Sequence, residues 1–180
     1  MKIIQNLFSI KFFWFIRGLI YKCFFGKFGN LSYIGKPTLI INPKKFFIGN
    51  KVRIFPCARL EAHGSFPVLI EDNVSIGHNL HLSAYNKIII GSGTTVASNV
   101  LIMSLVHNVV VKDIPYMDQP IKGKETIIGK NCLIGSNSCI MAGVTLGDQC
   151  IVASNSVVTK SFDSHQVIAG NPAQVLKKLF

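Results

Sequence analysis

The sequence predicts an all-β fold, a parallel β-helix wound from triangular coils, and three observations predict it. An aliphatic residue returns at every sixth position through "IIGKNCLIGSNSCIMAGVTLGDQCIVASNSVV": Ile128, Ile134, Ile140, Leu146, Val152 and Val158. The same register recurs upstream in triplets, Ile48-Ile54-Leu60, Ile70-Ile76-Leu82 and Ile90-Val96-Ile102. Four positions after most of these stands a residue that is usually small: Val52, Ala58, Val74, Thr94, Val100, Cys132, Ser138, Val144, Cys150 or Ser156. A helix has no six-residue period, and one flat strand alternating in twos needs no corner residue so regularly. Short strands joined by tight corners need both.

Three six-residue sides close one triangular coil, with the aliphatics inward and successive coils ~4.8 Å apart. The fifteen positions make five coils, and Ile34 with Ile40 is placed to start a sixth. Cys132 and Cys150, one full coil apart, stack as small core residues in this scheme rather than as metal ligands. One long interruption stands out. The step from Ile102 to Ile128 is several times the normal six, so a long insertion projects within the segment 103–127. A long loop on a rigid repeat is where function collects. After Val158 the pattern runs out in "IAGNPAQVLKKLF", where Asn171 and Pro172 stop the coil and Ala173 to Phe180 read as a short C-terminal helix over the open end. The chain thus divides into an N-terminal segment (1–30), a β-helix (31–168) and a capping segment (169–180).

A length of 180 residues, 49% of them hydrophobic, suits one ordered domain. The net charge of +11 is unevenly spread. Residues 1–60 hold eleven Lys or Arg and no acid, whereas 61–180 hold eight of each sign. The excess belongs to one end, so no nucleic-acid partner is expected. That end, "MKIIQNLFSIKFFWFIRGLIYKCFFGKFG", lacks the unbroken apolar run of a membrane span and a secretory cleavage site. Wound as a helix it puts Lys2, Gln5, Asn6, Ser9 and Arg17 on one face, with Lys11 and Lys22 opposite. Two readings stay open for it. Residues 1–28 lie on an anionic membrane surface, or they form a helix packed on the domain or at a subunit contact with snorkelling cations. Five cysteines without a C-x-x-C pair point to reduced thiols in the cytoplasm, with the membrane's inner face as the peripheral variant. No G-x-x-x-x-G-K-[ST] or G-x-S-x-G occurs, so ATP-dependent and serine-nucleophile mechanisms have no support.

Three stretches, "VASNVLIMSLVH" (96–107), the repeat from Ile127 to Lys160, and the closing "IAGNPAQVL", resemble the hexapeptide-repeat acyltransferases, specifically the maltose, galactoside and polysaccharide O-acetyltransferase group. The likeness covers about residues 46 to 176. It implies a left-handed parallel β-helix, a handedness periodicity alone does not give. It also implies a homotrimer with active sites between subunits, acetyl-CoA as co-substrate and no metal. The expected reaction is acetyl transfer to a hydroxyl of a sugar or cell-surface polysaccharide precursor in a bacterial-type enzyme.

The family's catalytic base, a His at the start of the projecting loop, corresponds to His107, five residues after Ile102. A neutral imidazole with a pKa near 6.5 suits proton removal from a hydroxyl attacking a thioester. The positions matching CoA contacts are Ser136, Ser154, Thr159 and Lys160, and "HNLHLS" offers Asn79, His81 or Ser83 toward the acceptor. Leu133 stands where many relatives carry Trp. Two alternatives remain: a β-helix scaffold without catalysis, and a zinc carbonic-anhydrase-like enzyme, for which only His165 follows His107 where two close His are wanted. Cys139, one residue before an inward Ile and with no adjacent His, favours direct transfer over an acyl-cysteine.

Overall fold

The computed structural model describes the backbone of residues 2–107 and 113–180 and the side chains from residue 11 onward. The polar positions expected at Lys2, Gln5, Asn6 and Ser9, and the loop segment 108–112, lie outside that description. One helix, α1 (Lys2–Tyr21), leads into a left-handed parallel β-helix with three flat faces. Face A stacks six strands from Lys27–Phe28 to Thr145–Leu146, and face C six from Leu39–Ile41 to Val157–Val158. Face B runs in parallel from Tyr33–Ile34 to Gln166–Gly170.

The inward stack is the one the six-residue beat predicts. Each of the fifteen aliphatics is at most 1% exposed, and they pair in register from coil to coil, Ile54 with Ile76, Val96 with Ile134, Ile102 with Ile140. Burial of such a column is the main favourable term in a repeat fold. The sixth coil is real. Ile34 is fully buried, Phe28 fills the matching position on face A, and Ile40 is partly buried beside them. Cys132 and Cys150 continue the column of Thr94 inside one corner.

Corners take a left-handed residue, and asparagine repeatedly fills that role. Asn73, Asn79, Asn99, Asn131, Asn137 and Asn155 all have φ between 54 and 61°. Asn tolerates this region because its short amide bonds locally.

The C-terminal segment departs from expectation. Ala173–Lys178 forms no helix; it is a strand lying antiparallel on Gln166–Gly170, the last strand of face B. The chain reverses through Gly170, whose φ of 107° only glycine adopts readily. So short a helix would be marginal, and it cannot compete with an open sheet edge offering a row of unpaired backbone groups. The segment still caps the prism, by pairing rather than by covering.

At the other end α1 lies across the first coil. Trp14 meets Tyr33 and Phe55 with ring centroids 6.0 and 5.6 Å away, Arg17 donates to the Ile34 carbonyl at 3.3 Å, and Phe25 packs between Phe28 and Phe46. Gly18 permits the approach, since a Cβ there would sit 3.0 Å from the Ser32 carbonyl oxygen. Among the described residues no helix is long and apolar enough to cross a membrane.

Candidate active site at the projecting hairpin

The insertion leaves the prism at the edge between faces C and A, on the fourth coil. Leu105–His107 and Ile121–Gly123 form an antiparallel hairpin, with Leu105 opposite Gly123 and His107 opposite Ile121. Its base is fastened by two buried hydroxyls. Ser104 Oγ accepts from the Tyr85 and Asn86 N–H groups at 3.1 and 3.0 Å and donates to the Asn86 carbonyl at 2.7 Å. Thr126 Oγ1 donates to the Met103 carbonyl at 2.7 Å and accepts from Gly143 N–H at 3.2 Å. Lys124 N–H donates to the Ser104 carbonyl, Asn86 Nδ2 to that of Gly123, and Lys87 meets Glu125 at 3.1 Å. A loop held at both ends can present a side chain in one place.

That side chain is His107. The imidazole is half-buried, and its Nδ1 is shut off from solvent without a hydrogen-bond partner among the described residues. Buried ring nitrogens are ordinarily bonded, so an orphan at a loop base calls for an explanation. Farther out the loop turns through Tyr116–Asp118 and exposes Ile114, Tyr116 and Met117.

The four residues matched to CoA contacts fall into two pairs. Ser136 and Ser154 lie one above the other on the edge between faces B and C, where Asn155 N–H donates to the Ser136 carbonyl. Thr159 and Lys160 follow Val158 on the edge between C and A, the edge from which the hairpin springs, two coils farther along. Lys160 donates to Gln174 Oε1 at 2.7 Å and sits over the Phe162 ring. It helps line an open hollow of about 440 Å³ with Thr145, Ser161, Gln166 and Val175. Leu133 is exposed on face B.

The acceptor candidates separate likewise. Asn79 is a corner residue whose amide donates to Asn99 Oδ1 at 3.0 Å, so its polarity is engaged in a ladder. His81 and Ser83 share the outer side of face C, and the Ser83 carbonyl accepts from Ser104 N–H at 3.0 Å, next to the hairpin base.

A charged cluster that the sequence reading missed surrounds His81. Glu61, only 4% exposed, is engaged by Arg59 and accepts from His63 Nε2 at 2.8 Å, while His81 Nε2 lies 3.7 Å from its other oxygen. Burial, and then the Arg59 charge, hold the His81 imidazole below its ordinary pKa. The signal was present in "RLEAH": Arg59, Glu61 and His63 alternate along one strand and so share its outer side, with His81 directly above Arg59. Among the described residues no three His, Cys, Asp or Glu side chains are disposed to hold a metal ion. His165, the other histidine of the zinc alternative, is a left-handed corner residue whose ring lies tilted against Phe180, centroids 5.2 Å apart.

Comparison with known proteins finds several that this chain resembles. Residues 125–160 match the model for the hexapeptide repeat of succinyl-transferase. WbbJ of Escherichia coli (strain K12), whose name assigns it as an O-acetyl transferase of lipopolysaccharide biosynthesis, is 28% identical over 156 residues, covering 83% of this chain and 80% of that one. AntD from Bacillus cereus, an N-acyltransferase solved with dTDP and 3-hydroxybutyryl-CoA, superposes with a TM-score of 0.78 at 24% identity over 90% of this chain and 87% of that one. A maltose O-acetyltransferase from Clostridium difficile 630 superposes with a TM-score of 0.65 at 24% identity, covering 91% and 75%.

Proposed function

We propose that this chain, which belongs to the hexapeptide-repeat, left-handed β-helix acyltransferases, moves acetyl from acetyl-CoA to a hydroxyl of a sugar, with a cell-surface polysaccharide or its precursor as the acceptor class. The observation that carries the reading is the placement of His107: the imidazole stands where the hairpin leaves the rigid prism, on a base fastened by Ser104 and Thr126.

In this reading His107 takes the hydroxyl proton as the acceptor oxygen attacks the thioester carbonyl carbon. The tetrahedral intermediate then collapses, the carbon–sulfur bond breaks, and the imidazolium returns its proton to the CoA thiolate. The charge on the intermediate's oxygen calls for donors already in place. Nδ1 of His107, unbonded among the described residues, calls for a partner that fixes the tautomer and leaves the opposite ring nitrogen free to work.

Acetyl-CoA lies in this reading along the prism edge, with Thr159 and Lys160 on the hairpin's side and Lys160 toward the nucleotide phosphates. Ser136 and Ser154 belong to the neighbouring edge, so one CoA molecule contacts all four residues only where two subunits meet edge to edge. That supports a homotrimer, as do the exposed Ile114, Tyr116 and Met117 at the end of the arm. His81 and Ser83, on the outer side of face C beside the hairpin base, face the acceptor; Asn79 acts through the corner ladder. The proposed location is the cytoplasmic side.

The test is thiol release from acetyl-CoA with a panel of mono- and oligosaccharides, comparing the intact protein with His107→Ala. Sugar-dependent release reduced by a factor on the order of 10²–10⁴ in the variant is the expected result for loss of a general base. Release unchanged by the substitution removes His107 from that role. CoA binding without transfer to any saccharide, free or lipid-linked, supports the scaffold reading instead.

A further inference from the structure

We infer that the N-terminal end of the prism docks on an anionic lipid bilayer, through the outer stripe of α1 and the lysines around the first coil. The docking does not depend on the acetyl-transfer reading; the multiplied adsorption and the reach to a lipid-borne saccharide rest on that reading.

The helix is apolar on two sides, and the fold uses only one. Trp14, Gly18 and Tyr21 face the first coil, joined by Phe25 just past the helix end. Phe12, Phe13, Ile16, Leu19 and Ile20 recur on the opposite side of the helix and are exposed, Phe13 by 63%. The surface continues onto the coil itself, where Leu31 stands 65% exposed at a left-handed corner. Contiguous apolar surface of this kind marks an interaction site.

The charge around it names the occupant. Lys11, Lys22, Lys36 and Lys44 are exposed at this end, and none forms an ion pair with a described residue. The first 60 residues hold no acid at all. A second copy would satisfy the rings but oppose cation to cation; a nucleic acid would satisfy the cations and leave the rings in water. An anionic bilayer takes both, with the aromatic side chains at the headgroup boundary and the lysines among the headgroups. A homotrimer whose prisms meet edge to edge, as proposed above, sets three such ends side by side and multiplies weak adsorption. Standing end-on, the prism holds the fourth-coil hairpin three coil spacings, roughly 15 Å, from the first coil. A saccharide carried on a lipid headgroup reaches that height.

The experiment is co-sedimentation of the full-length protein with vesicles of phosphatidylglycerol and phosphatidylcholine, against phosphatidylcholine alone. Two double variants accompany it, Phe12→Ser with Ile20→Ser and Lys36→Gln with Lys44→Gln, each checked for folding by circular dichroism. The expected result is binding to the anionic vesicles only, weakened roughly tenfold or more by either double variant, with transfer to soluble sugars unchanged. Anionic binding indifferent to both variants overturns the inference. Absence of vesicle binding overturns it as well, and if sedimentation velocity then shows self-association abolished by the Phe12/Ile20 pair, the stripe belongs to a second copy.

Discussion

Ser104 and Asn86 hold one another on adjacent coils through a reciprocal pair of hydrogen bonds, the Ser104 hydroxyl accepting from the Asn86 N–H at 3.0 Å and donating to the Asn86 carbonyl at 2.7 Å. Ser104 is fully buried, and the same oxygen also accepts from Tyr85 N–H. Ser104→Ala therefore strands two backbone donors and one acceptor at the root of the hairpin. The expected loss is about 2 kcal/mol of stability or more, read as a lowered urea midpoint. Transfer should fall further than the unfolded fraction accounts for, because His107 stands just beyond the broken latch. Ser104→Thr keeps the hydroxyl and should recover more of the activity than of the stability.

Gly135 tests how closely the coils approach at the proposed CoA edge. A Cβ there would lie 2.5 Å from the Ser154 nitrogen and 2.8 Å from the Ala153 carbonyl carbon, backbone atoms of the next coil that cannot swing aside. Gly135→Ala should cost about 1–3 kcal/mol by overpacking and push Ser136 and Ser154 apart. A thermal melt reads the first effect and calorimetry with CoA the second. Weakened CoA affinity in a folded variant supports the edge as the binding track; unchanged affinity counts against Ser136 and Ser154.

The buried thiols should be inert where the outer ones are not. Burial pushes Cys132 up from 9.0 to about 11 and raises Cys150 too, whereas Cys23 and Cys57 are exposed. A rise of that size leaves Cys132 with about a hundredfold less thiolate near neutral pH, before steric protection is counted. Mass-resolved labelling with a maleimide should mark Cys23 and Cys57 in the native protein and reach Cys132 and Cys150 only in denaturant. Early labelling of Cys132 would mean that the coils open locally.

The interior was legible because its cause is periodic. Ile54, Ile76, Val96, Ile134 and Val152 occupy equivalent positions on successive coils, so one repeated choice of side chain specifies them all, and the pattern survives the long insertion after Ile102. The ends and the outer faces have no such redundancy. Whether Ala173–Lys178 becomes a helix or a strand depends on the free edge of Gln166–Gly170, a partner known only once the last coil is built. The site was legible in part. His107 announced itself by standing in the insertion, but Glu61 was read past because its partners Arg59, His63 and His81 come from two successive coils, joined at the Arg59–His81 pairing. Alternation within "RLEAH" aligned three of them, and the coil length supplied the fourth.

Histidine at position 81 links that cluster to pH. Its folded pKa lies below the ordinary value, through burial first and Arg59 second, so the folded chain resists a proton that the unfolded chain accepts. Stability tied to His81 is therefore present above the unfolded pKa of about 6.5, falls as pH drops through that value, and levels off below the depressed folded one. Glu61 opposes the shift from 3.7 Å, beyond hydrogen-bond length and with its oxygens already taken by Arg59 and His63. Two substitutions separate the causes. Arg59→Gln removes a repelling charge and should raise the His81 midpoint seen in a proton NMR titration of its ring. Glu61→Gln removes an attracting one and should lower it further, at a cost of about 1 kcal/mol or less, since Arg59, half in solvent, keeps its hydration when the carboxylate goes. If both variants move the midpoint the same way, the carboxylate and the guanidinium act on His81 through structure rather than charge. Because His81 faces the acceptor in the proposed function, sugar binding should weaken over the same pH range in which its ring takes up the proton.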